Sequence, residues 1–182
     1  MEKYKLEPAS SVYPGLVRKL AIAGMDPRNQ WFFSDVGFFP DGIVSSKVNT
    51  VSNEEFVVLS DDGIIAYITG KWARPLKTII SVRVILFDER KSIILGKALF
   101  EYLEYLFIAR GCNAMTWIVA EKNIHAYKIY EKFIKRYMGH RVGMKHYGQM
   151  SYSGEISNTI IYEITREEYF RWKEKNEVST TI

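Results

Sequence analysis

Apolar and polar residues follow two rhythms along this chain, and the change of rhythm divides it. EFVVLS (55–60), IIAYITGKW (64–72) and TIISVRVILF (78–87) are apolar runs rich in β-branched and aromatic residues, the pattern of strands. Asp61-Asp62-Gly63 joins the first two as a hairpin turn, and Pro75 interrupts the chain before the third. In the third run Ile80, Val82, Val84 and Leu86 share one face, while Ser81, Arg83, Ile85 and Phe87 share the other. Its second half is apolar on both faces, which predicts a strand covered on both sides. After Asp88 the apolar spacing turns helical: Leu95, Ala98, Leu99, Tyr102, Leu103 and Leu106 form a stripe, with Lys97, Glu101 and Glu104 off it and Gly111 suited to the C-terminus. AMTWIVA (114–120) is a further strand. Asn123 can cap a second helix, whose stripe is Ala126, Ile129, Tyr130, Phe133 and Tyr137. Strands over about 141–150 and 157–164 follow. TREEYFRWKEK (165–175) then reads as a charged helix, with Thr165 as N-cap and Glu168 at the reciprocal capping position.

The N-terminal third is less periodic. KYKLEP (2–7) predicts a short first strand. Ser10 or Ser11 can cap a helix that carries Tyr13, Leu16, Val17, Leu20 and Ile22, has Pro14 in its first turn and ends near Gly24. Asp26-Pro27 repeats the cap-plus-proline signal for a short helix over about 27–34. From Ser34 to Asn53 the residues are those of a loop, long enough to be a functional segment. The element order predicts one α/β (α+β) domain over 1–182. Its mixed sheet has about six or seven strands: an antiparallel meander, then a β-α-β crossover in which 78–87 and 114–120 run parallel, with helices on both faces. Residues 1–53 form the N-terminal helices and loop, 54–165 the core and 166–182 the helical tail.

Composition narrows the class. The 182 residues are 47% hydrophobic and 25% charged, as in a globular protein. Cys112 is the single cysteine, so no internal disulfide forms and a reducing, cytoplasmic setting is expected. No targeting segment and no membrane span is read from the sequence. Net charge is only +4, but six Lys or Arg lie between Lys128 and Lys145 against one acid, Glu131. That stretch is either a solvated helix face or a field for a phosphate-bearing ligand or RNA.

The chemistry-bearing motifs are constrained by what is missing. The sequence lacks a G-x-x-x-x-G-K-[ST] loop, a G-x-G-x-x-G loop and a G-x-S-x-G elbow. His125, His140 and His146 lack metal-ligand spacing, so no metal site is expected. What remains is a strand feeding a helix through a tight turn, where free N–H groups and the helix dipole favour an anion. Lys91-Ser92-Ile93-Ile94-Leu95-Gly96 forms that turn, and Asn123-Ile124-His125-Ala126-Tyr127-Lys128-Ile129-Tyr130-Glu131-Lys132 opens the next helix. Together they resemble the GCN5-related N-acetyltransferase (GNAT) family. There a [Q/R]-x-x-G-x-[G/A] turn after the fourth strand holds coenzyme A pyrophosphate, and a helix of pattern N-x-x-A-x-x-x-Y-E-K follows the fifth strand. Here Gly96 matches the last turn position, Ile94 replaces the first glycine and Lys91 the leading Arg or Gln. Phe133-Ile134 stands where Gly-Phe is usual, which lengthens the helix by about a turn.

The resemblance implies an acetyl-CoA-dependent N-acetyltransferase, with acetyl-CoA as co-substrate and a small-molecule or peptide amine as acceptor. It implies a coenzyme site made by Val84, Leu86 and Phe87 on the strand, Lys91, Ser92, Ile93, Ile94, Leu95, Gly96 and Lys97 in the turn, and Asn123 and Tyr130 on the helix. The N–H of Leu86 would polarise the thioester carbonyl, and Tyr130 would protonate the leaving thiolate. Tyr127 lies off the stripe and has no such role. For the general base, Glu121, His125, Glu54 and Glu55 are candidates beside a water chain. Trp31, Phe32, Phe33, Phe38, Phe39, Tyr147 and Tyr152 would line an aromatic acceptor pocket or pack as a second core. A homodimer is admitted, a membrane is not, and nucleic acid is not the expected partner. Two other readings stay open. One is a coenzyme-binding or regulatory module without turnover. The other is an RNA-facing enzyme that uses the basic stretch, acting on aminoacyl-tRNA.

Overall fold

A computed structural model describes residues 3–31, 51–151 and 153–178. Phe32, Phe33, Phe38, Phe39 and Tyr152, and the predicted loop up to residue 50, lie outside the described residues. Seven strands form one sheet: β1 (Tyr4–Pro8), β2 (Val51–Ser60), β3 (Gly63–Ala73), β4 (Thr78–Leu86), β5 (Ala114–Ala120), β6 (His140–Met150) and β7 (Ile156–Thr165). Their order across the sheet is β1-β2-β3-β4-β5-β7-β6. β1 to β4 are a continuous antiparallel meander, β4 and β5 run parallel as the crossover predicted, and β7 inserts antiparallel between β5 and β6. The fold class read from the sequence is therefore the one observed.

The helices are α1 (Tyr13–Gly24), α2 (Ser92–Glu104), α3 (Ile124–Arg136) and α4 (Arg166–Val178). α1 packs Leu16, Leu20 and Ala23 against Val57, Tyr67 and Ile85 on one face of the sheet. The other face carries the larger core, where α2 and α4 bury Ile94, Ala98, Tyr102, Leu103 and Tyr169 against Val58, Ile68, Trp117 and Tyr162, and α3 packs the half-buried Tyr130 and Phe133 on it. β3 is buried from Ile64 to Gly70, as a central strand covered on both sides must be.

Several elements differ locally from the sequence reading. A 3-10 turn (Ala9–Val12) precedes α1, and Ser11 Oγ donates to Pro8 O instead of capping α1. The predicted second helix is a 3-10 turn of three residues, Pro27–Asn29, with Asp26 Oδ1 accepting from Arg28 N–H. β2 starts at Val51, earlier than predicted, because it matches the full length of β3 down to Ala73. Ile22 and Ile129 point to solvent; Ala23 replaces the first in the α1 seam, and α3 turns so that Tyr127 and Ile134 pack on the core beside Tyr130 and Phe133. α2 runs on into one π-helical turn, Tyr105–Ala109, closed by Arg110 N–H donating to Tyr105 O. Gly111 follows at φ +64°, as its C-terminal position requires. The capping box at Thr165 forms in both directions: Thr165 Oγ1 accepts from Glu168 N–H, and Glu168 Oε2 accepts from Thr165 N–H at 2.8 Å. Among the described residues, no helix is long and apolar enough to cross a membrane.

Candidate active site

The site begins with an irregularity in β4. Thr69 pairs with Arg83 and Lys71 with Ile80, so β4 carries one more residue than β3 across this step. The extra residue is accommodated at Ser81, which adopts φ +55°, a left-handed conformation that disfavours non-glycine residues by about 1–3 kcal/mol. Gly70 faces the bulge. A Cβ placed there would lie 2.9 Å from Ile79 Cγ1 and Cδ1 and 3.0 Å from Val82 Cγ2, so the bulge closes over β3 only because residue 70 has no side chain.

A bulge bends its strand and increases local twist. β4 and β5 pair from Thr78↔Ala114 to Val82↔Trp117, and no further pair joins them beyond that point. Phe87 N–H donates to Ile65 O on β3 at 2.8 Å. Alternate residues of a strand turn their N–H groups the same way, so those of Val84 and Leu86 turn from β3 toward the gap. The gap is a cleft of about 80 Å³. β4 contributes Val82, Arg83 and Val84 to it, and β5 contributes Ile118, Val119 and Ala120. α3 adds Asn123, Ala126 and Tyr130, while Trp31 and Gln149 close the wall, with Gln149 Nε2 donating to Trp31 O at 3.1 Å. Leu86 borders the same gap but does not line the cleft, whereas Val84 does both.

Tyr130 sits with its ring 5.7 Å from that of Trp117 and 6.0 Å from that of Tyr162. Burial pushes its phenol up to about 12, so it holds its proton throughout the neutral range. Asn123 spends its side-chain oxygen on the N-cap of α3, accepting from Ala126 N–H at 3.3 Å. The cap holds the helix start, and hence Tyr130 two turns on, against the end of β5.

The turn after β4 begins at Asp88, whose Oδ1 accepts from Arg90 N–H and opens a 3-10 turn, Glu89–Lys91. α2 then starts at Ser92 with no side-chain cap. Ile94, the residue in place of the usual glycine, is 8% exposed and belongs to the core under the sheet, so its side chain leaves the turn clear. A Cβ on Gly96 would meet nothing within 4 Å. Exposed backbone at a helix start, with no side chain over it, fits a phosphate group. Ser92, Ile93 and Lys97 are exposed around it and Leu95 is half-buried. Lys91 does not turn to the helix start: its ammonium pairs with Asp62 in the β2–β3 hairpin at 2.8 Å and is 16% exposed. Phe87 packs with the α1-side core and lies under Lys19, whose ammonium is 5.6 Å from the ring centroid.

The carboxylates considered from the sequence lie outside the cleft. Glu121 is exposed and accepts from Asn158 Nδ2 at 2.8 Å. Glu54 is paired with Arg110. Glu55 is half-buried on the α1 face, in register with Thr69 and Arg83, and desolvation pushes its carboxyl up to about 7. His125 is exposed on α3. Of the described aromatics, Trp31 reaches the cleft and Tyr147 is exposed on β6. Cys112 is buried, and burial pushes its thiol up, so it is suited to packing and not to attack.

Solved structures share this fold. The spermidine N-acetyltransferase SpeG from Vibrio cholerae, solved with CoA and spermine, aligns over 92% of this chain and 98% of its own at 15% identity and a TM-score of 0.70. The fold is that of the acetyltransferases. A T. thermophilus protein assigned as an acetyltransferase aligns over 98% of this chain and 94% of its own, at 16% identity and a TM-score of 0.68. No protein-family model matches the sequence, and it matches none of the curated proteins. The acetyltransferase fold thus stands on geometry, at identities where sequence comparison is silent.

Within the acetyltransferase fold, sequence reasoning found Val84, Asn123 and Tyr130 on the cleft. It passed over Ile118, Val119, Ala120 and Gln149, which carry no chemical signature. Arg83 did carry one: it is the single charged residue in an otherwise apolar stretch from Val82 to Phe87.

Proposed function

We propose that this chain is an acetyl-CoA-dependent N-acetyltransferase acting on a primary amine. The observation that carries the reading is the cleft between β4 and β5, which has edge N–H groups of β4 on one side and the protonated phenol of Tyr130 on the other. In this reading the pantetheine arm lies in the gap along β4, near Val84, Leu86 and Phe87. The N–H of Val84, with that of Leu86, takes the thioester carbonyl as it gains negative charge. The turn from Ser92 to Lys97 holds the pyrophosphate on backbone N–H groups. The exposed Lys128, Lys132, Lys135 and Arg136 of α3 add a positive field for the polyanionic coenzyme. Lys91 contributes through the hairpin it anchors. The amine arrives neutral and its nitrogen attacks the carbonyl carbon. The C–S bond breaks, and the thiolate takes the proton of Tyr130. Removal of the amine's proton is left to solvent at the cleft mouth, near Glu121 and His125. The buried position of Ile94 weakens one of two grounds for a module without turnover; the other, the lack of a carboxylate on β4, stands.

Two measurements test this. Acetyl-CoA at about a hundred times its Kd adds about 2.7 kcal/mol of stability, or about 5–10 °C in melting temperature for a chain of this size. No shift at saturating acetyl-CoA overturns the proposal. Tyr130→Phe is expected to lower kcat about a hundredfold, within the usual span for a general acid, with the acetyl-CoA melting shift retained. Unchanged turnover would return Tyr130 to a packing role.

A further inference from the structure

The excess charge of this chain sits in one place. The flank of α3 and the adjoining face of β6 carry Lys128, Lys132, Lys135, Arg136 and Arg141 with one acid, Glu131, and these account for the whole net charge of +4. The remaining Lys and Arg equal the remaining Asp and Glu in number. We propose that this patch is a second binding site, for the phosphodiester backbone of a single-stranded nucleic acid, separate from the cleft between β4 and β5. It stands independently of the acetyltransferase reading.

The patch is turned away from α2. On α3, Ala126 and Tyr130 face the cleft, while Phe133 and Tyr137 meet Phe100 of α2. At 3.6 residues per turn, Lys128, Lys132 and Lys135 project from the outer and opposite sides of the helix. On that opposite side Glu131 accepts from the Tyr162 hydroxyl of β7. Arg141 joins them from a strand: it pairs with Tyr162 in the sheet, on the face under α3, and its charge acts on the Tyr162 phenol together with that of Glu131. The field that the helix cations add at the coenzyme is long-range; their side chains bound a separate cleft of about 520 Å³, with Tyr127 in its wall.

An ordinary solvated helix face alternates its signs at i, i+4. Here Lys128, Lys132 and Arg136 occupy successive i, i+4 positions with one sign, which is repulsive. Glu131 spends its carboxylate on the Tyr162 hydroxyl at 2.8 Å, and none of the five cations forms an ion pair among the described residues. Arg136 lies over the Tyr137 ring instead, 5.4 Å from its centroid. Charge on an edge strand guards it against other strands, which accounts for Arg141 but not for four cations on a helix. The shape then selects the ligand. The cleft is lined from α3 alone and the five cations are exposed, so a small anion would keep most of its water. A polymer gains by adding contacts along the row, roughly 12 Å from Lys128 to Arg136, and by releasing its counterions. Apolar surface lies beside the cations. Ile124 is 53% exposed, Met144 is 39% exposed next to Ile160 on the same face of the sheet, and Tyr127 is half-buried. Unpaired bases stack on such surface, whereas an acidic peptide has no use for it.

Fluorescence anisotropy tests this with short oligo(U), oligo(dT) and a duplex of the same length, and with poly-glutamate as competitor. Both single strands are expected to bind, the tighter of them naming the sugar preferred, and the duplex to bind more weakly. Contacts from all five cations give a log–log salt slope of about −3.5, so affinity should fall about a hundredfold between about 50 and 200 mM salt. The double variant Lys128→Gln, Lys135→Gln is expected to reduce the slope by about 1.4, and Arg141→Gln by about 0.7. Arg18→Gln removes the same charge from the exposed side of α1, across the sheet, and is expected to leave the slope unchanged. No binding at about 50 mM salt, an unchanged slope in the patch variants, or equal effects of Arg18→Gln and Arg141→Gln would overturn the proposal. A duplex bound more tightly than either strand would do the same. So would displacement by poly-glutamate at equal charge, which would make this an acidic-protein surface, or displacement by saturating acetyl-CoA, which would give the patch to the coenzyme alone. Oligonucleotide binding by a protein that acetyl-CoA does not stabilise would sink the acetyltransferase reading and leave this site standing.

Discussion

Replacing Gly70 with alanine tests whether the bulge in β4 shapes the cleft. The new methyl would lie 2.9 Å from two carbons of Ile79 and 3.0 Å from Val82 Cγ2. Such separations require something to move. Ile79 is fully buried and Val82 nearly so, both inside the core, so neither can rotate into solvent. Overpacking of this kind costs about 1–3 kcal/mol. Against it stands the smaller conformational entropy of the unfolded alanine chain, worth about 0.4–1 kcal/mol. The net expectation is a loss of about 1–2 kcal/mol, or about 2–8 °C in melting temperature. Because Val82 lines the cleft, the acetyl-CoA melting shift should shrink as well. The origin of the loss is isolated by a double-mutant cycle with Ile79→Val, which removes Cδ1 and by itself costs about 0.5–1.5 kcal/mol. If the clash is real, the double variant loses less than the sum of the two, by about 0.5 kcal/mol or more. Strict additivity, or a Gly70→Ala protein at least as stable as wild type, would refute the account of how the strands are held apart.

Other outcomes follow from single features. Gly96→Ala adds a methyl into open space within α2, so it should raise the stability of the coenzyme-free protein by about 0.5–1 kcal/mol, read from melting curves. Thr165→Ala removes one half of the capping box at the start of α4 and should lower stability by about 1 kcal/mol in urea unfolding, with the slope unchanged. Glu55 has a folded-state carboxyl raised from 4.5 to about 7, so between those values the native state holds more protons than the unfolded chain. Its contribution to stability is therefore present below that window and lost as pH rises through it. Glu55→Gln should flatten the pH dependence of the melting temperature between those values; an unchanged profile would assign the proton elsewhere.

Most of the sheet was legible because its strands are separated by clear turn signals and β2 to β5 and β7 are rich in β-branched residues, which β1 and β6 are not. The parallel step was legible because a helix with its own apolar stripe stands between 78–87 and 114–120. The capping box at Thr165 could be read residue by residue, since its partners are three positions apart. What escaped depends on neighbours distant in sequence. Nothing in Ser81 announces a left-handed conformation; the signal is a glycine on the next strand, visible only once Gly70 and the bulge are opposite each other. Ile129 fits a regular helical stripe, but Tyr162 on β7 donates to Glu131, and Tyr127 and Ile134 pack on the core while Ile129 is exposed. Lys91 reads as a phosphate ligand from its position beside the turn, and only the hairpin at Asp62 reveals its other partner.

The bond from Gln149 to the carbonyl of Trp31 spans 118 positions of sequence. β6, which carries Gln149, joins the sheet only through β7, a strand that follows it in the chain. On a ribosome, where the chain emerges from its N-terminus, the meander and the helices α2 and α3 can assemble while this wall of the cleft is still missing. The wall closes only after residue 165 has emerged, so the cleft is among the last parts of the sheet to be completed. Chains interrupted between β5 and β7 would keep the turn at Ser92 but lack the closed cleft, a division of labour between early and late synthesis that the strand order imposes.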